Sequence, residues 1–286
     1  MKWSEEAGQA VSKVPFFVKK RVKQKVEEEA ARSGAKIVTP EHVRNSQRKF
    51  LNNMEDEIKG YRIETCFGSG GCPNRIFQDN DLVQKIEEKL SARDLKIFLK
   101  EYINGPVRMH HEFRVSISDC PNACSRPQIV NFGVIGACRP MVSEEPCTQC
   151  RACLDACSEH AISFTDESET PIIDMEKCLA CGKCIKACPT GTLAEEARGY
   201  RVLVDGKLGR HPRLGRELEG IFSAEEVLTL ADQYLDFFQM SHIKDSRFDR
   251  RLEQKDFDDI LKEASRIGRY GHDSLPVGDP HLENKA

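Results

Sequence analysis

The sequence predicts an α+β fold: a mixed sheet with helices, interrupted by a cysteine-dense insert and preceded by a small helical module. Three observations carry this. Apolar residues alternate at period two in "FRVSISDC" and recur at helical spacing in "SAEEVLTLADQYLDFF". Residues 145–192 hold 8 of the 13 cysteines. Ahead of both, "VPFFVKKRVKQKVEEEAARSG" places Val18, Val22, Val26 and Ala30 four apart on one helix face. The predicted organisation is a helical module at 1–58, a sheet domain split into 59–144 and 193–242, the insert at 145–192, and a C-terminal helix with a mobile tail at 243–286.

The elements follow in order. Residues 1–13 read as a loose leader, and Gly34 stops the first helix. Thr39-Pro40-Glu41 opens a second helix, with Thr39 as cap and Pro40 at its first position. The Lys/Arg cluster at 19–25 reads as a solvated helix face. "YRIETC" is a strand, and "DNDLVQKIEEKL" is a helix with Leu82, Ile86 and Leu90 on one side. Phe113, Val115 and Ile117 mark a half-buried strand, and "QIVNFGVIGAC" marks another. Beyond the insert, "GYRVLVDGKLGRHPRLG" reads as a hairpin turning at Asp205-Gly206. Ser223 and Glu226 form a capping box for a helix that buries Leu228, Ala231 and Leu235. A further amphipathic helix spans roughly 247–266, and the tail after Gly268 is read as mobile.

Composition narrows the function. A formal net charge of -3 argues against a nucleic-acid partner. No apolar run approaches the ~18–20 residues that cross a bilayer. "MKWSEEAGQA" is polar where a signal peptide would be apolar, so the expectation is cytoplasmic. In a reduced compartment, thirteen cysteines point to metal rather than disulfides.

Cys147, Cys150, Cys153 and Cys157 follow the spacing x2, x2, x3, and Cys178, Cys181, Cys184 and Cys188 repeat it, with Pro189 behind. Thiolates are soft ligands suited to iron–sulfur cubes, whereas zinc sites pair two short Cys-x2-Cys units over a longer spacer. The doubled run resembles the two-cluster bacterial ferredoxins, with Ser158 where a proline often sits. That resemblance implies that each fourth cysteine serves the other cluster. One [4Fe-4S] cluster then takes Cys147, Cys150, Cys153 and Cys188, and the other takes Cys157, Cys178, Cys181 and Cys184.

A second arrangement lies outside the insert. Cys66-x5-Cys72 and Cys120-x3-Cys124 supply four thiolates from two loops, each just after a predicted strand, and "GSGG" lets backbone wrap closely around a bulky ligand. Together with "VSISDCPNACSRPQIVNFGVIG", the inserted ferredoxin and "YRVLVDGKLGRHPRLG", this resembles the siroheme-containing sulfite and nitrite reductases, most of all the C subunits of anaerobic sulfite reductases. The resemblance covers about residues 60–240. It implies a sulfite/nitrite-reductase-type sheet, a third [4Fe-4S] cluster on Cys66, Cys72, Cys120 and Cys124, and siroheme whose iron shares the sulfur of Cys124. Residues 14–43 resemble the small C-terminal domain of a light-independent protochlorophyllide reductase subunit, a docking or packing module.

An anionic substrate and a carboxylate-rich macrocycle call for cations. Arg126, Lys207, Arg210, His211 and Arg213 are the candidates for siroheme and substrate, each set against the reading of a solvated charge. "FGSGGC" has the wrong spacing for a dinucleotide fingerprint, and no flavin motif is visible, so electrons come from a separate donor protein. Ahead of Cys66 the sequence carries the helical module where siroheme reductases carry an arginine-bearing segment lining their pocket. A partner subunit completes the pocket, the helical module does, or siroheme is absent and the chain is a three-cluster electron carrier; other redox subunits or a homo-oligomer are the expected partners. Cys138 reads as a buried small hydrophobe with a redox thiol as its alternative, and His110–His111 as ordinary surface.

Overall fold

The computed structural model describes residues 1–12, 14–77, 81–209 and 211–240. Candidate Arg210, and the helix and tail expected beyond residue 242, lie outside the described residues. Two compact units are formed. One takes Met1–Arg62 and Leu90–Phe113, the other Ile63–Lys89 and Arg114–Met240.

In the first unit, the opening residues are ordered rather than a loose leader. β1 (Lys2–Trp3) pairs in parallel with β2 (Ile37–Val38), and α1 (Glu5–Ser12) lies between β1 and α2 (Phe16–Arg32) in the chain. The reason is burial: Ala7 and Val11 join the core of the unit, Ala7 packing with Val26, Ala30 and Val38. Trp3 also donates through Nε1 to Glu27 at 2.7 Å. Gly34 ends α2 with φ +75, the left-handed conformation that a β-carbon resists. α3 (Pro40–Asp56) starts where Thr39 and Pro40 predict, with His42 Nδ1 accepting from the Thr39 N–H at 3.0 Å. Of the basic cluster, Lys20, Arg21, Lys23 and Lys25 are exposed.

β3 (Tyr61–Thr65) opens the sheet; α4 (Leu82–Ser91) and α5 (Leu95–Tyr102) follow, then β4 (Phe113–Ser118) and β5 (Phe132–Val142). The insert carries α6 (Ala152–Ala156), β6 (Ile162–Ser163), β7 (Ile172–Ile173) and α7 (Lys183–Ala187). After it come β8 (Leu193–Val204), β9 (Arg216–Glu217) and α8 (Ala224–Met240). The sheet order is β3-β4-β5-β8-β9, with β4 parallel to β5 and β5 antiparallel to β8. Leu82, Ile86 and Leu90 are all buried, as their spacing predicts. The capping box also forms, with the Ser223 N–H on Glu226 at 2.6 Å and the Glu226 N–H on Ser223 Oγ at 3.3 Å. α8 buries Val227, Leu230, Ala231, Tyr234, Leu235 and Phe238, and Leu228 is only half-buried, so its apolar face is rotated from the expected one.

Two strands depart from the reading. β4 is buried on both faces, because Ser116 and Ser118 are as enclosed as Val115 and Ile117. Interior strands flanked on both sides lose the polar alternation, and small hydroxyl residues fit there once hydrogen-bonded. The hairpin turn expected at Asp205-Gly206 is instead the start of a longer loop. Asp205 leaves β8 with φ +65, Lys207 and Arg213 pair as an isolated bridge, and only Arg216–Glu217 return to the sheet.

β5 and β8 explain how the insert is tolerated. After a register shift at Arg139/Pro140 they remain paired to Val142↔Leu193, so the insert departs from and returns to neighbouring strand ends. The sheet register therefore survives whatever the insert contains.

Candidate metal centres

The loops bearing Cys66, Cys72, Cys120 and Cys124 are laced together by backbone. The Cys66 N–H donates to the Ile117 carbonyl at 3.1 Å, and the Ile76 N–H to the Asp119 carbonyl at 3.1 Å. The Asp119 N–H points at Cys66 Sγ, 3.3 Å away. Burial pushes the Cys120 thiol up, and Cys66, Cys72 and Cys124 lie close enough to add to that shift. Ala123 and Arg126 adopt left-handed φ of 51 and 62, each costing about 1 kcal/mol for a residue with a β-carbon. They coil the chain tightly around Cys124. Ser125 anchors the coil: its carbonyl accepts from Ser116 Oγ at 2.7 Å, and its hydroxyl donates to the Ile117 carbonyl at 2.8 Å. Cys120 is buried, Cys66 and Cys72 are half-buried, and Cys124 is the exposed thiol of the four.

The insert repeats one design twice. Gln149 and Arg151 take left-handed φ just ahead of α6, and Ala180 and Gly182 do the same at the matching positions ahead of α7. Cys153 and Cys184, on these short helices, meet in a core with Ile162 and Leu193. Burial raises the Cys153 thiol, with Cys188 and Cys147 adding to it. Burial pushes Cys184 up to about 11, with Cys178, Cys181 and Cys157 contributing. The proximities thus cross between the runs, Cys188 with the first and Cys157 with the second. At Cys188, burial is outweighed by hydrogen bonds from the Leu193 N–H and Thr190, which bring the thiol down to about 7. The Gln149 N–H meets Cys147 Sγ, and the Ala161 N–H meets Cys157 Sγ, both at 3.3 Å.

Among the described residues, no three His, Cys, Asp or Glu side chains converge tightly enough to hold a single metal ion. A cavity of about 100 Å³ is lined by Cys157, Cys178, Cys181 and Cys184 and also by Cys120 and Asn122.

Arg126 is largely exposed, with Nη2 3.7 Å from Glu64. Lys207 and Arg213 exchange backbone hydrogen bonds of 2.9 Å. The Arg213 guanidinium binds the buried Asp205, its Nε donating to that residue's carbonyl at 2.8 Å, so it is a structural tie within the loop. His211 is exposed. Sequence reasoning missed the serine anchor and the Glu195–Arg198 pair described below. The first could have been found from "VSISDC", whose two serines interrupt a strand otherwise fit for the interior.

A family model described as "Nitrite and sulphite reductase 4Fe-4S domain" matches residues 60–268, well over half of the chain. This chain belongs to that family. A second model, "Proto-chlorophyllide reductase 57 kD subunit", matches residues 3–46. The coenzyme F420-dependent sulfite reductase of Methanocaldococcus jannaschii is 35% identical over 170 residues, which are 59% of this chain and 25% of that protein. The C-subunit of the anaerobic sulfite reductase of Salmonella typhimurium is 25% identical over 136 residues, 46% of this chain and 39% of its own length. This member of the nitrite and sulphite reductase family thus spans about a quarter to two fifths of these curated relatives. Among solved structures, that of dissimilatory sulfite reductase I aligns with 78% of this chain and 56% of its own, at a TM-score of 0.47 and 17% identity. No described helix is long and apolar enough to cross a membrane.

Proposed function

We propose that this chain is the redox subunit of a siroheme sulfite or nitrite reductase. Cys147, Cys150, Cys153 and Cys188 hold one [4Fe-4S] cluster, and Cys157, Cys178, Cys181 and Cys184 hold another. Cys66, Cys72, Cys120 and Cys124 hold the third, which Cys124 joins to siroheme. The observation that carries this reading is the exposure pattern of the last set: Cys120 is buried, Cys66 and Cys72 are half-buried, and Cys124 is presented outward. A sulfur shared between a cluster and a second metal must be reachable from outside its own loop.

Bound there, siroheme would supply the multi-electron reduction of a small anionic oxo-substrate, and the residues around it supply placement and charge. Arg126 follows Cys124 by two positions and projects into solvent, which suits a carboxylate or an anion. Lys207 and His211 are the further candidates on the loop after β8. Because Arg213 is tied to Asp205, its role is to shape that loop for Lys207. The relative named as a subunit supports completion of the pocket by a partner subunit. Electrons would come from a separate low-potential donor protein. In domain terms, residues 1–58 would be a docking module, 59–144 with 193–242 the reductase part and 145–192 the relay.

The test is pigment extraction. Acid–acetone treatment of anaerobically purified, iron-replete chain is expected to release siroheme at about one copy per chain. Release of none, with about twelve irons retained, would leave a three-cluster electron carrier instead.

A further inference from the structure

Cys138 stands at the seam between two of the thiol sets. It lies within β5, and on one side it packs in a buried cluster with Ile76 and Cys120. On the other side its N–H donates to the Ala180 carbonyl at 2.7 Å, and its backbone forms a parallel bridge with Cys181. A β-carbon built on Gly182 would fall 3.0 Å from both its Cβ and its Sγ, so that loop presses directly onto the thiol. Gly182 also has φ +68, which strains any other residue there.

A second network fixes the orientation of this thiol. Cys138 donates to Glu195 Oε2 at 3.3 Å. Arg198 clamps the same carboxylate through Nε at 3.1 and 3.0 Å, and its Nη1 donates to the Ile76 carbonyl at 2.8 Å. Thus β5, β8 and the segment following Cys72 are tied at one point, and the Cys138 sulfur is held between Cys120 and Gly182. The cavity bounded by Cys157, Cys178, Cys181 and Cys184 also has Cys120 and Asn122 in its wall. Cys150, of the remaining set, is exposed.

Resting on the reading above, we propose that Cys138 is the positioning residue across which the Cys157/Cys178/Cys181/Cys184 centre faces the Cys66/Cys72/Cys120/Cys124 centre. The former is then the inner relay, and the Cys147/Cys150/Cys153/Cys188 centre is the outer one that meets the donor. In each transfer one electron leaves the inner centre, which is oxidised by one equivalent, and reduces its neighbour by one; no bond or proton moves at Cys138. A low-potential one-electron donor protein, or dithionite in the assay, restores the electron through the outer centre.

The test is EPR on the full chain, purified anaerobically and reduced stepwise with dithionite. Magnetic interaction between the inner centre and the Cys120 centre is expected to broaden or split the Cys120-centre spectrum. Cys181→Ser should abolish that interaction, and Cys150→Ser should leave it intact. The reverse pattern overturns the proposal. Because either variant can shed iron wholesale, Cys138→Val provides a second measurement that removes no ligand. It should shift the midpoint potentials of the two facing centres and leave the outer one unmoved, with Cys138→Ser restoring them by keeping a donor to Glu195. A shift confined to the outer centre, or none, overturns the assignment. Siroheme content separates the two readings. The expected pattern without siroheme removes the proposed sulfite or nitrite reduction alone; the reverse pattern with siroheme removes only the relay order.

Discussion

The hydroxyls of Ser118 and Ser125 lie 2.7 Å apart in the interior and tie the last residue of β4 to the residue after Cys124. The Ser125 N–H completes the knot on Ser118 Oγ at 3.3 Å. The thiol most exposed in its set is therefore carried on a buried polar support.

Ser125→Ala removes two hydrogen bonds from that support, while the Ser118 hydroxyl keeps the Ser125 N–H and the Ile117 carbonyl keeps the Cys66 N–H. A loss of about 1–3 kcal/mol is expected for the two hydrogen bonds. Thermal unfolding measures the stability, and timed iron release to a chelator should show the Cys66/Cys72/Cys120/Cys124 iron leaving first.

Cys120→Ser deletes the buried ligand of the same set. Iron content should fall from about twelve to about eight atoms per chain, one cube fewer. Siroheme should be lost with it, while the EPR signals of the other two centres persist. Retention of all the iron would contradict the grouping of Cys66, Cys72, Cys120 and Cys124.

Gly136→Ala places a β-carbon 2.5 Å from the Asp119 carbonyl and 2.8 Å from its carbonyl carbon. The backbone of the residue preceding Cys120 must then move. Overpacking of this kind is expected to destabilise by about 1–3 kcal/mol, read by urea denaturation. Iron retention in the Cys120 set should drop further than in the insert.

Arg126→Ala and Arg213→Ala should separate pigment from fold. Arg126 has a largely exposed side chain, so its loss should leave stability and iron unchanged and lower siroheme content several-fold. Arg213 is an ion-pair partner of the buried Asp205, and its loss should destabilise by about 3 kcal/mol. Pigment quantitation and thermal unfolding, run on both variants, check the contrast.

Much of this protein was legible in residue order because the governing rules are local. The capping box at Ser223 and the helix face of Leu82, Ile86 and Leu90 depend only on neighbours a few positions apart. What required three dimensions involves partners distant in the chain. Ala7 and Val11 looked like leader residues until Val26, Ala30 and Val38 provided a core for that segment. Ser116 and Ser118 belong inside only because Ser125 returns to satisfy them. Arg213 reads as a surface cation in the sequence, and the fold points it at Asp205. Cys138, a spare thiol by spacing, acquires its position because β5 carries it between Cys120 and Gly182. Short-range patterns specify caps and helix faces, whereas the pairing of distant strands decides which thiols become neighbours.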